Sequence, residues 1–274
     1  MPKIAVIADP HIGVEKPHFV GNWHRAVAEA NARAPDLTVI LGDLTFDGAH
    51  SEADCAFARE ALAALATPWL AVPGNHDVGD TDRGSGKASD PARLARWRRH
   101  FGPDFWLSDL DGGWRLVGID SQILGTGLAA ETEQWAFLEE ALTGGRRVLL
   151  FTHQPLFLKN WDEADRLYWA SCGAARRRLR DLFRSADVAA VVSGHMHRAF
   201  VSLPKAGPSF VWTPATSFLT RDASMPPQGG TAMTGITLLD LSETGVAVGF
   251  HPIPDLETFF IEDFNGTLYP APAR

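Results

Sequence analysis

Six short apolar runs recur between residues 3 and 195: KIAVIAD (3–9), LTVILGD (37–43), WLAVPGN (69–75), WRLVGID (114–120), RVLLFTH (147–153) and VAAVVSGH (188–195). They are rich in Val, Ile and Leu and show little polar alternation, which predicts strands buried on both faces. Helical spacing fills the gaps near 20–34, 51–66, 91–101, 131–143 and 174–185. Ser51 with Asp54 resembles a capping box, Asp90-Pro91 offers an N-cap and first turn, and Gly144-Gly145 stops the helix before them. Strand–helix alternation of this kind predicts an α/β layer architecture.

After residue 198 the helical spacing disappears, and FVWTPAT, GITLLDLS and GVAVGFHPI read as strands separated by turns. They predict a second, more antiparallel sheet, and so a sandwich with helices outside. One domain over 1–274, β-rich from about 198, is expected. GDTDRGSGKASDP (79–91) and RDASMPPQGG (221–230) read as surface loops.

Charge and composition narrow the partners. A formal net charge of -8 argues against a general nucleic-acid binder but not against a small phosphorylated substrate, which needs only a local positive site. No apolar run reaches the length of a membrane span, and the first one, IAVIA, ends at Asp9, so a cytoplasmic protein without a signal peptide is expected. Cys55 and Cys172 fit no metal-ligand spacing and are expected as free thiols. The run RRRLR (176–180) predicts a solvated helix face carrying Arg176, Arg177 and Arg180.

The chemistry gathers where the runs stop. They end in Asp9-Pro10-His11, Gly42-Asp43, Gly74-Asn75-His76-Asp77, His153 and Gly194-His195-Met196-His197. In α/β sheets ligands bind beyond the carboxyl ends of strands. Five ends therefore present carboxylate, amide and imidazole to one rim, a donor set suited to Zn, Mn or Fe. Asp9, His11, Asp43, Asn75, His153, His195 and His197 exceed the needs of one tetrahedral ion. Two ions sharing one carboxylate would use them all.

In combination, DPH, GD, GNHD, the lone His153 and GHMH resemble the signature of the calcineurin-like metallophosphoesterases over roughly residues 3–216. The resemblance implies a four-layer αββα sandwich of two mixed sheets flanked by helices. It implies two divalent or mixed-valence ions (Mn, Fe, Zn or Co), one held by Asp9, His11, Asp43 and His197. The other is held by Asp43, Asn75, His153 and His195, with Asp43 bridging. Hydroxide held between the ions would attack phosphorus, and His76 would face the phosphate and not a metal. Asp77 would orient that imidazole or brace the turn. His76, Asp43 and Asp77 are thus the catalytic candidates, with Asn75 and His76 as substrate contacts; Arg221, placed after a late strand, is a further substrate candidate through its guanidinium, with a solvated loop charge as the alternative.

Purple acid phosphatases carry a tyrosine three positions after the bridging aspartate, and other relatives a carboxylate that supports the histidine. Phe46 stands there instead, with Asp47 one residue on, so a purple enzyme is not expected and the support of His76 is open. Around the rim, His18, Asn160, Trp161 and Tyr168 are further candidates, each with packing or a solvated surface as the alternative. The resemblance favours a phosphodiesterase of the cyclic-nucleotide or glycerophosphodiester type. A phosphomonoesterase or phosphoprotein phosphatase, and a non-catalytic metal-binding scaffold, are the alternatives. The sequence leaves a homo-oligomer open.

Overall fold

The computed structural model describes residues 1–81, 87–226, 228–253 and 255–269. The expected runs form strands: β1 (Lys3–Ile7), β2 (Leu37–Leu41), β3 (Trp69–Val72), β5 (Trp114–Ile119), β6 (Arg147–Thr152) and β7 (Asp187–Ser193). The chain adds β4 (Trp106–Asp109), β8 (Arg198–Ser202), β9 (Ser209–Trp212), β10 (Thr231–Ala232), β11 (Gly235–Ser242) and β12 (Gly245–Pro252). Each expected strand stops short of the polar end of its run, so the chemistry-bearing residues lie in the loops beyond or, for Asn75, His76 and Asp77, in a single helical turn. The helices are α1 (Val20–Ala32), α2 (Glu52–Ala61), α3 (Asn75–Val78), α4 (Pro91–Phe101), α5 (Ala129–Ala141) and α6 (Gly173–Phe183).

Two mixed sheets result. One has the order β12-β11-β1-β2-β3, the other β10-β8-β9-β7-β6-β5-β4. The period of two along each strand explains why the runs are apolar throughout. Ile4 and Val6 of β1 face Leu149, Phe151 and Val192 between the sheets. Ala5 and Ile7, pointing the other way, pack under Trp23 and Ala26 of α1. On the far side Val117 and Leu150 pack under Trp135 and Leu138 of α5 and Leu179 of α6. Four layers follow, and each fully buried aliphatic side chain contributes about 1.5–3 kcal/mol.

The C-terminal strands depart from expectation. They do not form a sheet of their own: β8, β9 and β10 extend the sheet of β7, while β11 lies antiparallel to β1 in the other. Apolar pattern sets which faces are buried but not which sheet edge a strand joins. Arg176 is a second departure. It is buried, and its guanidinium donates to the carbonyls of Ser171 and Glu163 and pairs with Asp165, tying down the loop after β6. Of the two expected loops, positions 82–86 and 227 lie outside the described residues.

Candidate metal centre

The rim begins with backbone conformation. Among the described residues, the non-glycine positions with positive φ are Asp9 (53°), His11 (47°), Asp43 (45°), His195 (65°), His197 (51°) and Ala34 (47°). All but Ala34 are residues singled out above as ligands. The left-handed region costs an L-residue roughly 1–2 kcal/mol, and such strain persists where the surroundings over-determine it. Here the loops are laced together: Asp9 N–H donates to Gly42 O (3.2 Å), His11 N–H to Asp43 O (2.9 Å) and Phe46 N–H to Ile12 O (2.8 Å). Two glycines make the approach feasible. Gly42 has φ of +77°, and a Cβ there would meet His153 Nδ1 at 2.6 Å; a Cβ on Gly74 would meet Asp43 Oδ1 at 2.3 Å.

The imidazoles are oriented from behind. His153 Nδ1 donates to Leu41 O (2.8 Å) and His195 Nε2 to Tyr168 O (2.8 Å). With those nitrogens committed, His153 Nε2 and His195 Nδ1 are left facing each other 3.1 Å apart, close enough that a proton or a cation must lie between them. Asn75 Oδ1 is 3.2 Å from His153 Nε2, and Asp43 Oδ2 is 3.5 Å from it. Four electron-rich atoms thus converge on one point, an arrangement that a cation relieves. On the other side His197 Nδ1 donates to Phe218 O (2.7 Å), leaving Nε2 3.5 Å from Asp9 Oδ1. His11 Nε2 is 3.5 Å from Asp43 Oδ2, buried and without a hydrogen bond. Asp9, His11 and His197 form one potential cation cluster and Asp43, His153 and His195 another. A buried orphan imidazole nitrogen and two clusters of acceptors fit a pair of metal ions.

The electrostatics agree. Burial opposes charge on His153, but the carboxylates of Asp43 and Asp9 outweigh it and push its pKa up to about 9. Burial and the charge of His153 pull His195 down to about 3. Burial pulls His197 down to about 4, against the carbonyl of Phe218. Burial would raise Asp43, but His153 and His76 hold it well below the ordinary carboxylate range. Asp43 therefore stays ionised between the clusters, and His153 carries the proton that a cation displaces.

His76 has an answer to its missing carboxylate. Its Nδ1 lies 2.6 Å from the backbone carbonyl of Phe46, so the chain supplies the acceptor that the side chain at this position lacks. The His76 backbone N–H donates to Asp43 Oδ1 (2.8 Å), fixing the bend after β3. Its ring lies beside that of His11, with centroids 4.5 Å apart. His11, Asp43 and His76 also satisfy the distances of a cation cluster. Asp77 is placed elsewhere. Its carboxylate accepts from the backbone N–H groups of Gly74, Leu44 and Thr45 and from Thr45 Oγ1. It braces the turn, the other of the two roles expected for it. Burial and Asp43 push it up to about 6.

Arg221, expected at the substrate, is turned outward. Its guanidinium pairs with Glu262 and Asp263 over the ring of Phe260, and it is absent from the lining of the cavity above the centre. An exposed arginine after a late strand is taken up by the nearest acidic turn. Trp161 packs on Phe157 and Phe210, and His18 and Asn160 are exposed outside that lining. Tyr168 does line the cavity, with Trp169. So do Lys16 and Tyr269, which sequence reasoning missed as cavity residues. Tyr269 reaches the rim through the packing of Phe259, Ile261, Phe264 and Leu268 around Phe19, Phe46 and Phe218. The only sequence signal was a cluster of aromatics near residues 259–269.

The profile of the calcineurin-like phosphoesterases matches residues 2–199. The bovine serine/threonine-protein phosphatase CPPED1 is 32% identical over 227 residues, covering 70% of this chain and 67% of that protein. The match to the human form covers 48% of this chain and 42% of that protein, so the chain spans less than half of that relative's length. A probable glycerophosphodiester phosphodiesterase, GpdQ, of Arcobacter nitrofigilis is 30% identical over 183 residues, 62% of this chain and 59% of that protein. Among solved structures, a dimetal phosphatase from Danio rerio superposes with a TM-score of 0.60 at 15% identity, over 92% of this chain and 96% of that one. At that identity the likeness is one of fold, and it is the two-sheet sandwich described above.

Proposed function

The chain belongs to the calcineurin-like phosphoesterase family, and on that premise we propose that it is a metal-dependent hydrolase of small phosphodiesters, of the glycerophosphodiester or cyclic-nucleotide type. The observation that carries the choice is the cavity over the centre. Its volume is about 810 Å³, the size of a small-molecule site. Tyr168 and Trp169 wall one part, and Ile261, Leu268 and Tyr269 another. Such walls suit a compact ester with an apolar or ring-bearing group better than a loop of a folded phosphoprotein. Charge points the same way. The cavity's lysines, Lys16 and Lys87, are outnumbered by the carboxylates of Asp47, Asp80 and Glu262, and no arginine is among the described lining residues. A diester brings one negative charge less than a monoester into that field.

Two bound ions would supply a hydrolytic water at neutral pH and neutralise phosphoryl oxygens. Asp9, His11, Asp43 and His197 would hold one, and Asp43, Asn75, His153 and His195 the other, with Asp43 shared. The remaining work falls to His76. With Nδ1 committed to Phe46 O, its Nε2 is the nitrogen left for the substrate. A proton on Nε2 can pass to the leaving oxygen or stabilise charge on the phosphoryl group. Asp77 keeps the turn that aims it.

A protein phosphatase is the second reading, supported by the 32% identity to CPPED1. Manganese-loaded protein assayed on bis-nitrophenyl phosphate, nitrophenyl phosphate, a glycerophosphodiester, a cyclic nucleotide and a phosphoserine peptide separates the two. The expected order puts diesters first. A phosphopeptide turned over faster than every diester would overturn the proposal.

A further inference from the structure

Four of the five imidazoles at the rim give their rear nitrogen to a backbone carbonyl: His153 to Leu41, His195 to Tyr168, His197 to Phe218 and His76 to Phe46. His11 does not. Its Nδ1 faces the hydroxyl of Tyr269 at 3.5 Å, across 258 positions of sequence. Its Nε2 is the orphan nitrogen beside Asp43. A metal-binding imidazole needs its far N–H accepted, because that contact fixes the tautomer and the ring plane and raises the basicity of the ligating nitrogen.

We propose that Tyr269 is the positioning residue of His11, so that the segment from Asp255 to Tyr269 completes the Asp9–His11–His197 half of the metal centre. The phenol oxygen accepts from His11 Nδ1–H and leaves Nε2 as the lone-pair atom. The segment is anchored for this task. Phe259 O accepts from Leu219 N–H (2.8 Å), and Ile261 N–H donates to Leu219 O (3.0 Å). Glu257 N–H donates to Asn22 Oδ1 (2.8 Å). Lys16 Nζ donates to Leu268 O (3.1 Å) while lying 4.5 Å over the ring of Phe46. The Tyr269 ring packs on Phe46 and Phe218, with centroids 5.1 and 5.6 Å away, which sets the hydroxyl's direction. Tyr269 lies beyond the residues matched by the family profile. The motifs read from the sequence therefore do not include it.

The inference rests on the reading of the rim as a two-metal site, and the test separates the two. Full-length wild type, Tyr269→Phe and Tyr269→Ala are titrated with Co²⁺ against a competing chelator, following visible absorption. Wild type should take up two ions. Tyr269→Phe keeps the ring and its packing but loses the oxygen, and should weaken one of the two sites by about tenfold to a hundredfold. Combining Tyr269→Phe with Asn75→Ala should weaken both sites, one through each substitution. If Tyr269 only packs, Tyr269→Phe will match wild type and Tyr269→Ala alone will suffer; that result overturns the proposal. Weakening of the same single site by Tyr269→Phe and Asn75→Ala also overturns it. Wild type that takes up no cobalt would instead overturn the metal-centre reading, and this inference with it.

Discussion

The two halves of the proposed centre differ in what holds their ligands. The half containing Asn75, His153 and His195 is fixed by the strand ends and the loop after β6. Leu41 O lies at the end of β2, Tyr168 O lies in the loop that Arg176 ties down, and the bend carrying Asn75 is braced by Asp77. The half containing Asp9, His11 and His197 borrows part of its support from a distance. Asp9 accepts the backbone N–H of His195, His197 leans on Phe218 O, and His11 meets a side chain from near the end of the described chain. The first half is therefore complete once the sandwich has formed. If Tyr269 positions His11 as proposed, the second also needs residues 259–269 packed in place. Ligands placed by similar strand-end motifs can differ in how far their stability depends on remote packing.

Substitutions can break this comparison, and the largest effect is expected where the halves meet. Asp43 Oδ2 is 3.5 Å from both His11 Nε2 and His153 Nε2. Asp43→Asn should deplete both ions, and turnover should fall beyond the roughly hundredfold to thousandfold typical of losing one transition-state contact. Elemental analysis checks this, and normal metal content would end the shared role. Next comes His76→Ala, which should keep its metals and lose on the order of a hundredfold in turnover. Metal loss in that variant would make His76 a ligand, as its grouping with His11 and Asp43 allows. Asn75→Ala should cost about tenfold to a hundredfold in affinity at one half and leave the other near wild type, because Asn75 Oδ1 lies beside His153 Nε2. Equal weakening of both halves would dissolve the distinction. Smallest of all, Arg221→Ala should change KM and kcat by less than about threefold, since its exposed ion pairs are worth little. A tenfold rise in KM would bring Arg221 back to the substrate.

What could be read from sequence divides along the same line. The seven ligand candidates were legible because strand, turn and donor are adjacent in the chain: a buried run ends and the next residues reach the rim. The support of His76 was not. A side-chain motif shows Phe46 where a carboxylate was sought, but a backbone carbonyl has no letter in the sequence, and Phe46 O serves. Asp77 was legible as a residue with two roles, and only the count of N–H donors around it separates them. Arg176 looked like one charge in a solvated run because the carbonyls it satisfies belong to another segment. The departure from the purple phosphatases was local and readable at Phe46. Of the two tyrosines that line the cavity, Tyr269 contacts the far nitrogen of His11 and Tyr168 meets His195 through its backbone carbonyl, so an iron-loaded sample is expected to show no tyrosinate absorption band.

The loops that carry the ligands also stitch the two sheets. Ala8, just past β1, bridges to Ala215, just past β9, and Thr216 N–H donates to Ala8 O. His195 N–H, beyond β7, reaches the carboxylate of Asp9, and Ser217 Oγ donates to Asp9 O. Peptide groups here cannot trade their hydrogens with solvent unless the sandwich parts at its ligand-bearing end. Cation binding and opening of the sandwich would then be linked: a cation held only by the closed form lowers the population of the opened one.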